Sequence, residues 1–147
     1  MRILRIAGAY VAAAATTYVA AAAFYTQQII AKQAAIGMVY TPGQQAGTYL
    51  ANFTGLWLYG SMLAVGLLIG FAVAAGVKRV LKPLAPIAYP AAGAAAVLTV
   101  IMLIEAQLGG GAGVIGGARD APGMALQALA GALGGLVFAL AKGRGAA

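Results

Sequence analysis

Residues 56–108 read LWLYGSMLAVGLLIGFAVAAGVKRVLKPLAPIAYPAAGAAAVLTVIMLIEAQL. This stretch contains two apolar runs, about 56–77 and 84–108, separated by a short segment that carries three basic residues. Each run is close to the roughly 20 residues with which a helix crosses a hydrocarbon core about 30 Å thick. Because backbone polar groups in lipid must be satisfied within the segment itself, each run predicts a transmembrane helix. The short link allows only an antiparallel hairpin.

Two further apolar runs, about 3–25 and 122–141, lie on either side of this hairpin. We therefore predict an all-α integral membrane protein with four transmembrane helices, forming two antiparallel hairpins in one polytopic domain over 1–147. The first run also resembles a secretory signal peptide, because basic residues precede an Ala-rich stretch. Its apolar run is long for a signal peptide, which favours an uncleaved helix.

The composition excludes several classes of protein. Hydrophobic residues make up 63% of the chain and charged residues 7%, whereas a soluble domain carries about 25% charged residues. This difference excludes a water-soluble globular domain. The absence of His and Cys excludes disulfides, thiolate or imidazole metal sites and His-ligated haem. We expect no enzyme activity, no metal and no cofactor, although a bound lipid is compatible with this composition.

The basic residues are distributed unevenly between the two sides of the predicted bundle. One side carries Arg2, Arg5, Lys78, Arg79, Lys82, Lys142 and Arg144. The other side carries only Lys32 and Arg119. We therefore expect a multi-pass protein of the inner (plasma) membrane. The positive-inside rule predicts that both termini and the link between helices 2 and 3 are cytoplasmic. The basic residues form no stripe with interleaved aromatics, so we expect no nucleic-acid partner.

The predicted outer segment 26–55 is expected to be partly helical. No Pro precedes Pro42, so helix 1 is expected to continue to about Tyr40, followed by a turn at Thr41-Pro42-Gly43. The extension either protrudes or lies in the membrane interface. Aromatic residues are expected to form an outer belt that anchors the interface or contacts a partner or lipid. They are Tyr25, Tyr49, Phe53, Trp57 and Tyr59.

The second outer segment, 109–120, is rich in Gly and is predicted to be a flexible linker. Asp120 is well placed to cap the fourth transmembrane helix, with Pro122 in the first turn. Glu105 is the only acidic residue near a span and is expected close to the outer interface. Two interpretations of Glu105 stay open: a carboxylate solvated at the interface, or a proton or cation site.

Small residues recur at helical spacing in two of the predicted spans. The fourth span carries a stripe at intervals of four residues, and the second span carries one GxxxG motif. The stripe consists of Gly123, Gln127, Gly131, Gly135 and Ala139, and the motif of Gly66 and Gly70. Small residues let helix backbones approach closely in lipid. The contact they predict is either within one molecule or against another protein.

These features favour a non-catalytic subunit that packs by Ala/Gly-rich helix faces against a larger membrane protein complex, of respiratory, photosynthetic or transport type. The alternative is a small oligomeric channel or transporter that uses Glu105, Gln127 and the hydroxyls of helix 1. A third interpretation is a lipid-interacting or membrane-shaping protein. The expected partners are membrane lipids and either other membrane protein subunits or a second copy of the chain.

Overall fold

The computed structural model describes residues 1–109 and 114–143. Five α-helices form this part of the chain: α1 (Arg2–Ala35), α2 (Pro42–Gly55), α3 (Trp57–Val80), α4 (Ala88–Ile104) and α5 (Ala121–Gly143). Short 3₁₀ helices cover Lys82–Leu84 and Gly116–Ala118, and a π-helical turn, Glu105–Gly109, continues α4. The described residues are 88% helical and contain no strand.

Four of these helices are long and apolar enough to cross a membrane. They are Arg2–Ala35, Trp57–Val80, Ala88–Leu108 and Ala121–Gly143. The predicted all-α membrane fold with four spans is therefore confirmed. The additional helix, α2, has 14 residues and is too short to be a fifth span.

The four spans pack in the spatial order α1, α5, α4, α3. Helix α5 lies between α1 and α4 and makes the most extensive contacts with both, whereas α3 packs mainly on α4. Helix α1 touches α3 more lightly, and α2 lies against α1. The first and last spans are thus direct neighbours. The contact between the first two spans of the chain, α1 and α3, is accordingly lighter than the contact between the last two, α4 and α5.

The interior is divided into two apolar clusters along the bundle. We call the end that holds Met1, Val80, Ala88 and Gly143 the basic end, and the opposite end the loop end. Near the loop end, Leu63 and Ile101 pack with residues of α1 and α5. Toward the basic end, the rings of Phe71, Tyr89 and Phe138 pack together with the Ala residues of α1.

The outer segment differs from the sequence expectation. Helix α1 ends at Ala35 rather than near Tyr40, and Gly37, at φ +90, turns the chain. With 34 residues α1 is about 51 Å long, so it extends beyond a hydrocarbon core of about 30 Å. Thr41-Pro42-Gly43 is the start of α2 rather than a free turn.

A capping box explains where α2 begins. The Thr41 side chain accepts a hydrogen bond from the backbone N–H of Gln44, and the Gln44 side chain accepts one from the backbone N–H of Thr41. Pro42 occupies the first turn of the helix, where its missing N–H has no intrahelical partner to lose. Pro90 likewise lies in the first turn of α4, so it does not interrupt that helix.

Candidate functional site: an external groove beside a closed interior

A groove runs along the outside of the bundle between α3 and α4. Its volume is about 810 Å³, and its lining is almost entirely apolar. Small residues form its floor, namely Gly66, Gly70, Ala92 and Ala96. Larger side chains, among them Met62, Ile69 and Leu103, line its walls. The groove is open to the surroundings, because Ile69 is 61% and Leu103 57% exposed.

Most polar side chains in the groove are already satisfied by their own helices. The Ser61 hydroxyl donates to the carbonyl of Trp57 at 2.9 Å, and the Thr99 hydroxyl donates to the carbonyl of Ala95 at 2.7 Å. Such back-bonding removes the need for a partner outside the helix. The groove therefore presents an apolar surface that fits hydrocarbon or another transmembrane helix.

The predicted GxxxG residues of α3, Gly66 and Gly70, are where α3 and α4 approach each other. A Cβ on Gly66 would lie 2.6 Å from a methyl group of Val100. A Cβ on Gly70 would lie 3.1 Å from the carbonyl oxygen of Ala92. The structure thus uses this motif within the molecule, and the same small residues leave the groove deep.

The small-residue stripe of α5 also lies inside the bundle. A Cβ on Gly131 would overlap the backbone of Gly93 in α4, and a Cβ on Gly135 would overlap the carbonyl of Tyr89. Gly123 meets the backbone of Gly117 in the same way. Further along the stripe, Ala139 is half-buried beside the aromatic cluster. Of the two interpretations left open by the sequence, the structure shows the intramolecular one.

Gln127 occupies the stripe position that carries a polar side chain, and it connects three helices. It is fully buried, accepts a hydrogen bond from the Tyr59 hydroxyl of α3 at 2.9 Å, and donates one to the carbonyl of Ala21 in α1 at 3.1 Å. Tyr59 was expected in the exposed aromatic belt. It is only 5% exposed, so this assignment is wrong.

The other predicted belt residues lie at or near the surface. Trp57 is 67% exposed, whereas Tyr25, Tyr49 and Phe53 are half-buried. Phe53 packs edge-on against Tyr18 of α1 with ring centroids 6.2 Å apart, and the Tyr18 hydroxyl donates to the Phe53 carbonyl. Of the predicted belt residues, Phe53 therefore helps to hold α2 against α1.

One buried hydroxyl lacks a partner in the described part of the chain. The Thr17 hydroxyl of α1 is fully buried without a hydrogen bond and lies against Gly134 of α5. The neighbouring Thr16 hydroxyl instead donates to the carbonyl of Ala12 at 2.8 Å. The close contact at Gly134 is not part of the predicted stripe, because Gly134 lies one residue out of its four-residue register.

Glu105 stands at the C-terminal end of α4, where the helix widens into the π-helical turn, and it is half-exposed. The carboxylate is therefore at the loop end rather than in the middle of the span. The Gly-rich linker lies partly outside the described residues, at 110–113. Its second half is not a free linker, since Ile115 and Ala118 are buried and Gly117 packs on Tyr25.

Asp120 connects α1 to the start of α5 at the loop end by a helix cap and an ion pair with Lys32, which we call the polar tie. Asp120 caps α5 as expected, because its Oδ1 accepts the Gly123 N–H at 2.9 Å, and its Oδ2 lies 3.1 Å from the Lys32 Nζ. These contacts, the Gly123 N–H first and the Lys32 ammonium second, lower the pKa of Asp120. The tie therefore stabilises the fold above the ordinary pKa of an aspartate and is lost as the pH falls through the lowered value.

A second group of polar contacts lies at the basic end. The Lys142 Nζ donates to the Tyr89 hydroxyl at 2.7 Å and lies 5.1 Å from the centroid of its ring. The Lys78 Nζ lies 5.3 Å from the same centroid. Arg144, a further basic residue of the predicted cytoplasmic side, lies outside the described residues.

No family model, curated protein or solved structure matches this chain.

Proposed function

We propose that this protein is a non-catalytic subunit of a larger membrane protein complex, and that the groove between α3 and α4 receives a transmembrane helix of a partner. The proposal includes residence in a bacterial inner (plasma) membrane with the basic end in the cytoplasm. It includes no enzyme activity and no cofactor.

The groove is the observation that carries this proposal. Its floor of Gly66, Gly70, Ala92 and Ala96 would let another helix backbone approach closely. Close approach is the arrangement from which helix association in lipid gains van der Waals energy. The sequence suggested that the Ala/Gly-rich faces of α1 and α5 would contact the partner. In the structure these faces pack against each other and against α4, so the groove between α3 and α4 takes their place in the proposal.

The interior gives less support to the channel alternative. Leu63, Leu67, Val97 and Ile101 are at most 2% exposed, so apolar side chains fill the described bundle at mid-height. Gln127 uses both ends of its amide for contacts between helices. Enzyme activity has little support as well. Of the two carboxylates in the sequence, Asp120 caps a helix, so Glu105 has no second carboxylate nearby in the sequence with which to carry out acid–base catalysis.

Crosslinking from the groove tests the proposal, and the absence of Cys makes the chain suitable. Ile69→Cys places a thiol on the groove wall. The matched position Leu136→Cys lies on α5, is 45% exposed and is outside the groove. Each variant is labelled with a benzophenone maleimide in native membranes, illuminated and analysed by mass spectrometry.

We expect Ile69→Cys to form a defined adduct with one other membrane protein and Leu136→Cys to form none. An adduct between two copies of the chain would instead support the oligomeric alternative. Adducts with lipid alone would contradict the subunit proposal. As an independent check, Ala95→Leu fills the groove and should reduce co-purification of the partner at least several-fold, whereas Ala72→Leu, an exposed site outside the groove, should not.

A further inference from the structure

Three aromatic rings form a buried platform near the basic end of the bundle. Phe71 and Phe138 are stacked with centroids 4.5 Å apart, and Tyr89 meets Phe138 edge-on at 4.9 Å. All three rings are at most 4% exposed. Three different helices contribute these rings, so the platform has a fixed position in the bundle.

Two ammonium groups converge on this platform. The Lys78 Nζ and the Lys142 Nζ lie 5.3 and 5.1 Å from the centroid of the Tyr89 ring, so they are at most about 10 Å apart. Both side chains are half-buried. The hydrogen bond to the Tyr89 hydroxyl uses one of the three N–H donors of Lys142, so further donors are available to an anion.

The chain supplies no acidic side chain to balance these two charges. Its two acidic residues, Glu105 and Asp120, both lie at the loop end, where Asp120 is paired with Lys32. Five further basic residues are at or near the basic end by sequence. Two cations beside one ring with no acidic side chain next to them repel each other, and an anion placed between them would relieve this repulsion.

The position of the pair along the helices indicates which anion fits. Lys78 is in the last turn of α3, Lys142 is in the last turn of α5, and Tyr89 is in the first turn of α4. Helix ends of membrane spans lie at the level of lipid headgroups, and basic pockets between such ends bind anionic headgroups.

We infer that Lys78, Lys142 and Tyr89 form a binding site for the phosphate of an anionic phospholipid. The ammonium groups donate to the phosphate oxygens, and the Tyr89 hydroxyl holds Lys142 in place. This site is separate from the groove between α3 and α4, and its occupancy does not depend on a partner protein.

Native mass spectrometry in detergent tests the inference. The protein is titrated with phosphatidylglycerol and, in parallel, with phosphatidylcholine of the same acyl chains. The test variant is Lys78→Gln with Lys142→Gln. The matched control is Arg79→Gln with Lys82→Gln, which removes the same charge near the same end from exposed positions. Thermal melting of each variant shows whether it is folded.

We expect the parent to bind one phosphatidylglycerol in preference to phosphatidylcholine. The test variant should bind it roughly 25-fold more weakly, about five-fold for each charge removed. The control should lose clearly less than this. Tyr89→Phe keeps both charges and the ring but removes the hydroxyl, so it should give a smaller loss; it serves as the second variant if the double substitution does not fold.

Three results would overturn the inference. Equal weakening in the control and the test variant would show a general effect of charge rather than a site. Equal binding of the two lipids by the parent would show no recognition of the anionic headgroup. Inorganic phosphate that competes with the lipid at similar concentration would show a site for a soluble anion instead.

Discussion

Gln127 shows how one residue sets the relation of three helices. Its amide both accepts from Tyr59 of α3 and donates to the backbone of α1. In an interior that is otherwise almost wholly apolar, these bonds have directions that dispersion contacts lack. Gln127 therefore fixes the rotation of α5 relative to its neighbours, whereas the glycines around it fix only the distance.

Substitutions at Gln127 and Tyr59 should be coupled in their effect on stability. Gln127→Leu removes both bonds and leaves the Tyr59 hydroxyl without its acceptor, so the free energy of unfolding should fall by about 1–3 kcal/mol. Tyr59→Phe should cost less, because Gln127 keeps its bond to Ala21. A double-mutant cycle, measured by unfolding in mixed micelles with SDS, should give a coupling of about 0.6–1.7 kcal/mol.

Thr99→Val is the matched control, since the Thr99 hydroxyl bonds only within its own helix. It should change the free energy of unfolding by less than about 0.5 kcal/mol. A coupling energy indistinguishable from zero in the cycle would mean that the Tyr59–Gln127 hydrogen bond contributes nothing to the folded protein.

The sequence could not assign Tyr59 and Trp57 to their opposite environments. Residues two apart on a helix point roughly 200° away from each other, so only one of the two rings can face outward. In lipid both the inner and the outer face of a span are apolar, so hydrophobicity does not show which one. The informative signal was the four-residue spacing of Tyr59, Leu63, Leu67 and Phe71, all of which are buried.

At the scale of elements, α4 and α5 meet backbone to backbone. Gly131 of α5 and Gly93 of α4 face each other so closely that neither could carry a Cβ without a shift. The four-residue stripe in α5 predicted that a helix would approach here. It did not identify α4 as the partner, because Gly93 lies in an Ala-rich stretch in which small residues occur on every face of the helix.

Gly131→Leu should force α4 and α5 apart. Because the side chain would meet the Gly93 backbone rather than a flexible side chain, we expect a loss of about 3 kcal/mol or more in stability, within the range of severe overpacking. Gly131→Ala should be milder. The matched control is Gly76→Leu, where a Cβ meets nothing within 4 Å.

The measurement is the midpoint of thermal unfolding in mild detergent, together with the elution position of the purified protein. If Gly131→Leu melts like the parent, the stripe reflects only the Gly-rich composition of the chain. A Gly76→Leu variant as unstable as Gly131→Leu would show that loss of any glycine is harmful.

The number and position of the spans were predictable, because an apolar run of about 20 residues has few other stable states. The start of α2 was not recognised. Thr41, Pro42 and Gly43 favour a turn and an N-terminal cap equally well, and only Gln44 completes the capping box that decides between them. The extension of α1 beyond its apolar run was also predicted, but the helix ends earlier than expected, at the Ile36-Gly37 turn.

For the whole molecule, the charge distribution predicts the orientation in the membrane. Seven of nine basic residues flank the basic end in the sequence, so the positive-inside rule predicts that this end is cytoplasmic. A green fluorescent protein fused after Ala147 should fluoresce, and alkaline phosphatase fused at the same point should be inactive. A phosphatase inserted after Gly37 should be active.

The opposite pattern at both positions would reverse the orientation. Active phosphatase at both positions would require an even number of spans between them instead of the three found here. A variant in which Lys78, Arg79 and Lys82 are replaced by Gln provides the control for the mechanism. It should weaken the preference for this orientation, because three of the seven residues that determine it are gone.

The neighbouring position of α1 and α5 has a consequence for how the protein is made. These two helices are the first and last spans in the described chain, and some 86 residues separate Ala35 from Ala121. At ordinary rates of translation the ribosome needs about 4 to 17 s to bridge that interval. During this time the Ala-rich seam of α1, with the buried hydroxyl of Thr17, has no α5 to cover it. A nascent chain halted before α5 should therefore remain associated with the insertion machinery or a membrane chaperone, and release should coincide with the emergence of the last span.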